Sequence, residues 1–490
     1  MRQHQKLNKE FYMFAMFNPL AIITVLATII LLSGCTTLRS EKPWLSIELK
    51  EEFTAKKLNN LGKETYQWSD YLLQEEKLFS ELREKLSASD TSDGYRYAAG
   101  SALNPLLQTP NWNRTFVLRP QKIRAAIVML HGLTDSPYSV RHLAQTFEQQ
   151  GFLVIALRMP GHGTLPSGLL TITWKDWVAA TRLAVQEAQR ELGDNPNLYL
   201  LGYSNGGTLA LNYALDALQD NSLPQPKKII LLSPMIGISK LAGLSKPLDL
   251  ISHLPLQSSW RWLSKSPEYN PFKYNSFPVN AAWQAHRFSR QLQRKIKRLA
   301  NDNTLQQLPP VLTFQSVMDA TVKTAAVQNY FYRYLPQNNS ELVLFDLNRH
   351  QDFSPITKPQ AANFMHATFS PGPHRYDLVT IGNRNPTTMD VSERRQVAGT
   401  QIEQERPLDL AFPSNVFSLS HVALPFPTND PVYGLDPTPD EFYGIRLGNR
   451  HLLGETNTII IKANTGMRLY SNPFYPYMQE RILSWLDPPP

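Results

Sequence analysis

Ser204 stands in the run Leu198-Tyr199-Leu200-Leu201-Gly202-Tyr203-Ser204-Asn205-Gly206-Gly207. The apolar residues before it predict a strand, and residues 208–218 predict a helix after it. A strand that turns this sharply into a helix needs small residues at the turn, hence Gly202 and Gly206. The serine then sits at a helix N-terminus, where unpaired N–H groups and the helix dipole favour developing negative charge. A serine so placed is a candidate nucleophile. To react it needs a base, usually a histidine, and that histidine needs a group to orient it. Two histidines end strand-like runs downstream, His350 after residues 342–347 and His421 within Val416-Phe417-Ser418-Leu419-Ser420-His421-Val422-Ala423-Leu424-Pro425. No cluster with metal-ligand spacing, no P-loop and no dinucleotide fingerprint occurs, so neither a metal nor a cofactor is expected.

The elements that must position these residues alternate. Short, nearly continuous apolar runs at residues 115–118, 125–130, 153–157, 198–201, 228–232, 311–315 and 342–347 predict strands. Helical stretches such as 140–150 and 174–192 lie between them. This is the pattern of a mostly parallel sheet covered on both faces, an α/β class. Two segments interrupt it. Residues 236–306 are rich in Trp, Pro, Leu and Phe, and predict a cap over the site with Trp260, Trp262, Phe272, Phe277 and Trp283 facing a cleft. Residues 350–415 predict an insertion with one further strand, 376–381. Upstream, residues 41–88 place Leu58, Leu61, Tyr66, Trp68, Leu72, Leu73, Leu78, Leu82 and Leu86 at helical spacing. They predict one or two helices that pack on the main domain or space it from a membrane.

The strand–Gly-x-Ser-x-Gly–helix unit resembles the nucleophile elbow of the α/β-hydrolase family. The stretch His131–Gly163 (HGLTDSPYSVRHLAQTFEQQGFLVIALRMPGHG) resembles bacterial monoacylglycerol-lipase-like and carboxylesterase-like hydrolases, a group also labelled serine aminopeptidase S33. The resemblance covers roughly residues 113–335. It implies an α/β-hydrolase fold with a cap insertion, and an oxyanion hole formed by the N–H groups of Leu133 and Asn205. It implies a structural part for His131, whose place beside Gly132 marks the oxyanion loop. It also implies a triad acid in the loop after the strand Val311-Leu312-Thr313-Phe314-Gln315, a position held by Asp319. The family's triad histidine precedes a closing helix, which YMQERILSWL at 477–486 resembles, and both His350 and His421 do so. His421 is favoured, because SLSHVALPFP resembles a block of the lipoprotein branch. His350 has the more ordinary spacing, 31 residues after Asp319 against 102. The implied activity is cleavage of carboxylic esters through an acyl-enzyme, with small or lipid esters as substrates. Peptide, amide or thioester cleavage and a silent binding lipoprotein are the alternatives.

Residues 1–18 are mixed and basic, and residues 19–32 form an uninterrupted apolar run of 14 residues. That is short for a membrane span but suits the apolar region of a signal peptide. It leads into Leu32-Ser33-Gly34-Cys35, which resembles the bacterial lipobox, and Cys35 is the one cysteine in the chain. The expected organisation is a signal peptide over 1–34, a lipidated N-terminus and helical extension over 35–112, and the hydrolase over 113–490. Lipid on Cys35 implies a membrane partner. Thr36, in place of the Asp that retains such proteins at the inner membrane, points to the outer membrane and its periplasmic side.

Composition agrees with a large globular chain of 490 residues, 42% apolar and 18% charged. One cysteine excludes a disulfide within the chain. The net charge of +8 is scattered except at Arg290–Arg298 (RQLQRKIKR). That run reads as a solvated helix face rather than a nucleic-acid site.

Overall fold

The apolar runs pair into one sheet. The computed structural model describes residues 42–61, 66–92, 95–237, 261–350, 373–448 and 468–486. Cys35, the segment before it and Trp260 lie outside these residues. The strands are β1 (Phe116–Leu118), β2 (Ala125–Leu130), β3 (Phe152–Leu157), β4 (Leu198–Tyr203), β5 (Lys228–Leu232), β6 (Trp262–Ser264), β7 (Phe277–Pro278), β8 (Val311–Ser316), β9 (Glu341–Phe345), β10 (Asp377–Asn383), β11 (Asp390–Gln396) and β12 (Glu403–Ala411). The α-helices are α1 (Pro43–Ser46), α2 (Ala55–Leu61), α3 (Trp68–Ser87), α4 (Arg141–Gln149), α5 (Trp174–Leu192), α6 (Asn205–Ala217), α7 (Val279–Asn301), α8 (Thr324–Tyr330) and α9 (Tyr475–Leu486).

The main sheet runs β1-β3-β2-β4-β5-β8-β9-β10-β11-β12. It is parallel from β3 to β10, with β1 antiparallel to β3 at one edge and β11 and β12 antiparallel at the other. Side chains of one strand serve both faces. In β2, Ala126, Val128 and Leu130 join the core beneath α5, α6 and α7, while Ala125, Ile127 and Met129 join the core beneath α4 and α9. Period-two alternation into two apolar layers explains why these strands read as unbroken apolar runs. From β2 the chain crosses to β3 on one side and then to β4 on the other. Open α/β sheets bind ligands at the carboxyl ends of such a switch point. Ser204 directly follows β4, and His131-Gly132 directly follows β2.

The helical extension is part of this unit rather than a piece beside it. Residues 43–490 cluster as one compact body, and Phe53, Tyr66, Trp68 and Tyr71 belong to the larger core. The buried face of α3 is Trp68, Tyr71, Glu75, Leu78, Phe79, Leu82 and Leu86, whereas Leu73 is exposed. Charge fixes the docking as well. The guanidinium of Arg158, just after β3, is 1% exposed and donates to Glu52 at 3.0 and 3.2 Å and to Glu75 at 3.1 Å. Glu75 also accepts from the Thr115 N–H and hydroxyl. A buried guanidinium is tolerated only when paired and hydrogen-bonded in this way.

Both interrupting segments differ from their expected forms. Residues 279–301 are not cap but α7, whose Ala285, Phe288, Leu292, Ile296 and Leu299 pack on the sheet as the helix between β5 and β8. Its exposed face carries Arg287, Arg290, Arg294, Lys297 and Arg298, which accounts for the basic run. Among the described residues the cap reduces to 261–278, with β6 and β7 as a small ribbon. Among the described residues, the tryptophans and phenylalanines expected to face a cleft pack elsewhere. Trp262 packs with Trp44, Phe79 and Leu82 of the extension. Phe272 stacks on Tyr138 at 3.7 Å, and Phe277 lies against the main core. Trp283 belongs to α7, half-buried against Arg287. In the second segment the described residues hold three strands, not one. β10 extends the parallel sheet, and β11 and β12 complete an antiparallel edge.

Candidate active site

The serine comes first, because its backbone is the most constrained. Ser204 has φ +54° and ψ −112°, a region costly for any residue with a Cβ. The surrounding bonds hold it there: its N–H donates to the Leu232 carbonyl and its carbonyl accepts from the Met235 N–H, both at 2.9 Å. A Cβ on Gly206 would run into the Leu130 carbonyl, and one on Gly202 into the backbone of Gly206. Strand β4, the turn and α6 pack this closely, so glycine is required on both sides of the serine.

Asp319 lies in the loop after β8, with its carboxylate buried. Oδ1 accepts from the N–H groups of Thr321 and Val322, each at 2.8 Å, and Oδ2 accepts from Gln315 Nε2 at 2.9 Å. Burial pushes this carboxyl up, but the opposing pull of His421 and the two N–H groups holds it below the ordinary carboxylate range. It therefore stays ionised at neutral pH.

His421 opens a short 3₁₀ turn over His421–Ala423 and lies between the other two groups. Its Nδ1 is 2.7 Å from Asp319 Oδ2 and its Nε2 is 3.0 Å from Ser204 Oγ. Neighbouring bonds fix the loop: Ser316 Oγ donates to the Leu419 carbonyl at 2.7 Å, and Ser420 Oγ to the Leu469 carbonyl. Asn348, just after β9, donates through its backbone N–H to the Phe417 carbonyl and through Nδ2 to the Val416 carbonyl. His350 is exposed, and no hydrogen bond joins it to Ser204 or Asp319. The structure thus brings Ser204, Asp319 and His421 together and leaves His350 outside.

Leu133 lies in the turn after β2, and Asn205, directly after the serine, is the first residue of α6. His131 supports the turn after β2. Its Nδ1 bonds the Gly132 carbonyl at 2.9 Å and its Nε2 accepts from the Met159 N–H at 3.0 Å, which fixes a neutral tautomer. Burial, chiefly, holds its pKa far below the usual range.

Sequence reasoning missed the residues that tie the cap to this turn. Tyr274 N–H donates to the Thr134 carbonyl at 2.9 Å, and Thr134 itself has φ +67°. Lys273 Nζ lies 3.2 Å from Asp135 Oδ1. Asp135, four residues beyond His131, could have been found from its place in the loop, whereas nothing in the local sequence marks Lys273. A cavity of about 380 Å³ is lined by Tyr203, the chain neighbour of the serine, and by Val422, the chain neighbour of His421. Its polar wall includes Asp135, Lys273, Ser264, Ser266, Asn275 and Arg468. The expected apolar, tryptophan-lined cleft is thus replaced by an aromatic and polar one.

A mostly parallel sheet with a serine elbow at its switch point defines the α/β-hydrolase fold. Residues 121–354 match the family described as serine aminopeptidase, S33. A thermostable monoacylglycerol lipase from Bacillus sp. (strain H-257) is 27% identical over 175 residues, 35% of this chain and 65% of that lipase. The chain therefore spans somewhat less than two thirds of the relative's length. Similar solved structures include one from work on the metagenome-derived lipolytic enzymes LipS and LipT (20% identity, TM-score 0.38, 52% of this chain and 98% of the other). Another is the monoacylglycerol lipase of Paleococcus ferrophilus (15% identity, TM-score 0.36, 52% and 95%). The chain has the α/β-hydrolase fold, and residues 121–354 are similar to the serine aminopeptidase, S33, family.

Proposed function

We propose that this protein is a serine hydrolase that cleaves carboxylic esters through an acyl-enzyme, with Ser204 as nucleophile, His421 as base and Asp319 as the acid that orients it. The observation carrying this reading is the unbroken relay from Asp319 Oδ2 through His421 to Ser204 Oγ, at 2.7 and 3.0 Å. Nε2 takes the Ser204 proton as Oγ attacks the ester carbon, and Asp319 stabilises the imidazolium that results. Charge gathers on the former carbonyl oxygen, where the N–H groups of Leu133 and Asn205 bind it more tightly than they bind the ground state. His421 returns the proton to the leaving alcohol, and water then releases the acyl group by the same steps in reverse. A fluorophosphonate probe should label the wild-type protein on Ser204, read by peptide mass spectrometry, and short p-nitrophenyl esters should turn over. Failure of both refutes the reading. The matched family's description favours peptide cleavage as the second reading, which aminoacyl p-nitroanilides would detect.

The protein is also proposed to be a lipoprotein, held through lipid on Cys35 at the outer membrane and facing the periplasm. The support is the apolar run leading to Leu32-Ser33-Gly34-Cys35. Several acyl chains on one residue would make release slow, each buried methylene contributing about 0.8 kcal/mol. Mass spectrometry of the mature N-terminus should show an acylated Cys35, and Cys35→Ser should leave the precursor unprocessed. An unmodified cysteine in the mature protein would refute this.

A further inference from the structure

The cavity lined by Tyr203 and Val422, the chain neighbours of Ser204 and His421, has a charge pattern that ester cleavage does not require. Two cations line it, Lys273 from the cap and Arg468 from the segment leading to α9. The one carboxylate among its described lining residues, Asp135, is buried and bonded to Lys273 at 3.2 Å. Arg468 donates to the neutral Thr321 hydroxyl at 3.0 Å, and no carboxylate pairs with it among the described residues. The described lining residues thus carry two cations against one carboxylate, and the Lys273 side chain stays 30% exposed. An arginine without a counter-ion in a concave, half-enclosed site is suited to a bidentate oxyanion. The bare reaction supplies no such group, because the ester oxyanion is served by backbone N–H groups.

We propose that this cavity binds an anionic group, a phosphate or carboxylate, carried by the ester substrate on the far side of the scissile bond. Arg468 is its principal partner and Lys273 its second. The inference rests on the esterase reading and narrows it, from esters in general to negatively charged ones. Asp135, 3.2 Å from Lys273 Nζ, holds that side chain at the wall of the cavity.

The test is a pair of substrates that share one scissile ester, 1-butyrylglycerol and 1-butyrylglycerol 3-phosphate. At low salt kcat/KM should favour the phosphate-bearing ester by about tenfold or more, and the preference should shrink as ionic strength rises. Arg468→Gln should cut the ratio by about fivefold or more, and Lys273→Gln should lower it too. Arg290→Gln, on the exposed face of α7, should leave the ratio as it is. The oleoyl versions of both substrates tell the sources apart: the same preference there extends it to lipids, whereas one confined to the butyryl pair assigns it to soluble esters. A ratio near one, or one that Arg468→Gln does not change, overturns the inference. Turnover of the neutral ester separates the two failures. If it is cleaved without preference, only this inference falls; if neither ester is cleaved and Ser204 takes no probe, the esterase reading falls with it.

Discussion

Ser204→Ala should lower kcat for a p-nitrophenyl ester by about 10⁴- to 10⁶-fold while leaving the thermal unfolding midpoint near that of the wild type. The serine hydroxyl donates its bond to His421 Nε2 and contributes little to the core, so its removal should be felt in chemistry alone. His421→Ala should cost about as much, because the relay works as a unit and either loss disables it. The double variant should then be scarcely slower than either single one. His350→Ala, which alters an exposed side chain, should stay within about twofold of the wild type. If His350→Ala abolishes turnover and His421→Ala does not, the base has been assigned to the wrong residue.

The second large effect concerns stability. Glu75→Ala should destabilise the protein by about 3–5 kcal/mol in denaturant unfolding, since it leaves the buried Arg158 guanidinium partly unpaired. The control lies one residue along the same helix. Glu76 pairs with Arg114, but its side chain is 60% exposed, and Glu76→Ala should cost no more than about 1 kcal/mol. Equal losses in the two variants would mean that the Arg158 cluster is not what docks α3.

How far the sequence could be read depended on how deeply each element is buried. Strands β2, β3, β4, β5, β8 and β9 lie in the middle of the sheet and are apolar on both faces, so their runs stood out to within a residue or two. The antiparallel edge had no such signal. β11 reads DVSERRQ and β12 reads EQERPLDLA, mostly polar with only Val391, Leu408 and Leu410 against the core, and β12 is largely exposed. Their pairing is decided by the neighbouring backbone rather than by their own hydrophobicity. The aromatic residues of 261–283 misled for a related reason. Composition marks them as needing burial but does not say against what, and Trp262 found the extension, not a cleft. The serine was legible because steric demands leave few alternatives around it. The histidine was harder, because both candidates end strand-like runs. The physical difference is that Ser316 and Asn348 bind the 416–421 segment, a contact between residues about a hundred and about seventy positions apart.

The antiparallel edge has a consequence for the order in which the catalytic groups become available. Apart from His421, the residues bonded to the serine backbone and to the aspartate, among them Leu232, Met235, Gln315, Thr321 and Val322, all precede β9 in the chain. The histidine comes only after the chain has added β10, β11 and β12 and returned across the ends of the central strands, 217 residues beyond the serine. Loop closure over such a separation is entropically slow. A partly folded chain, or one cut within 373–411, would then keep its nucleophile protonated and idle. With His421 as the proposed base, the protein would become reactive only once its last third is in place.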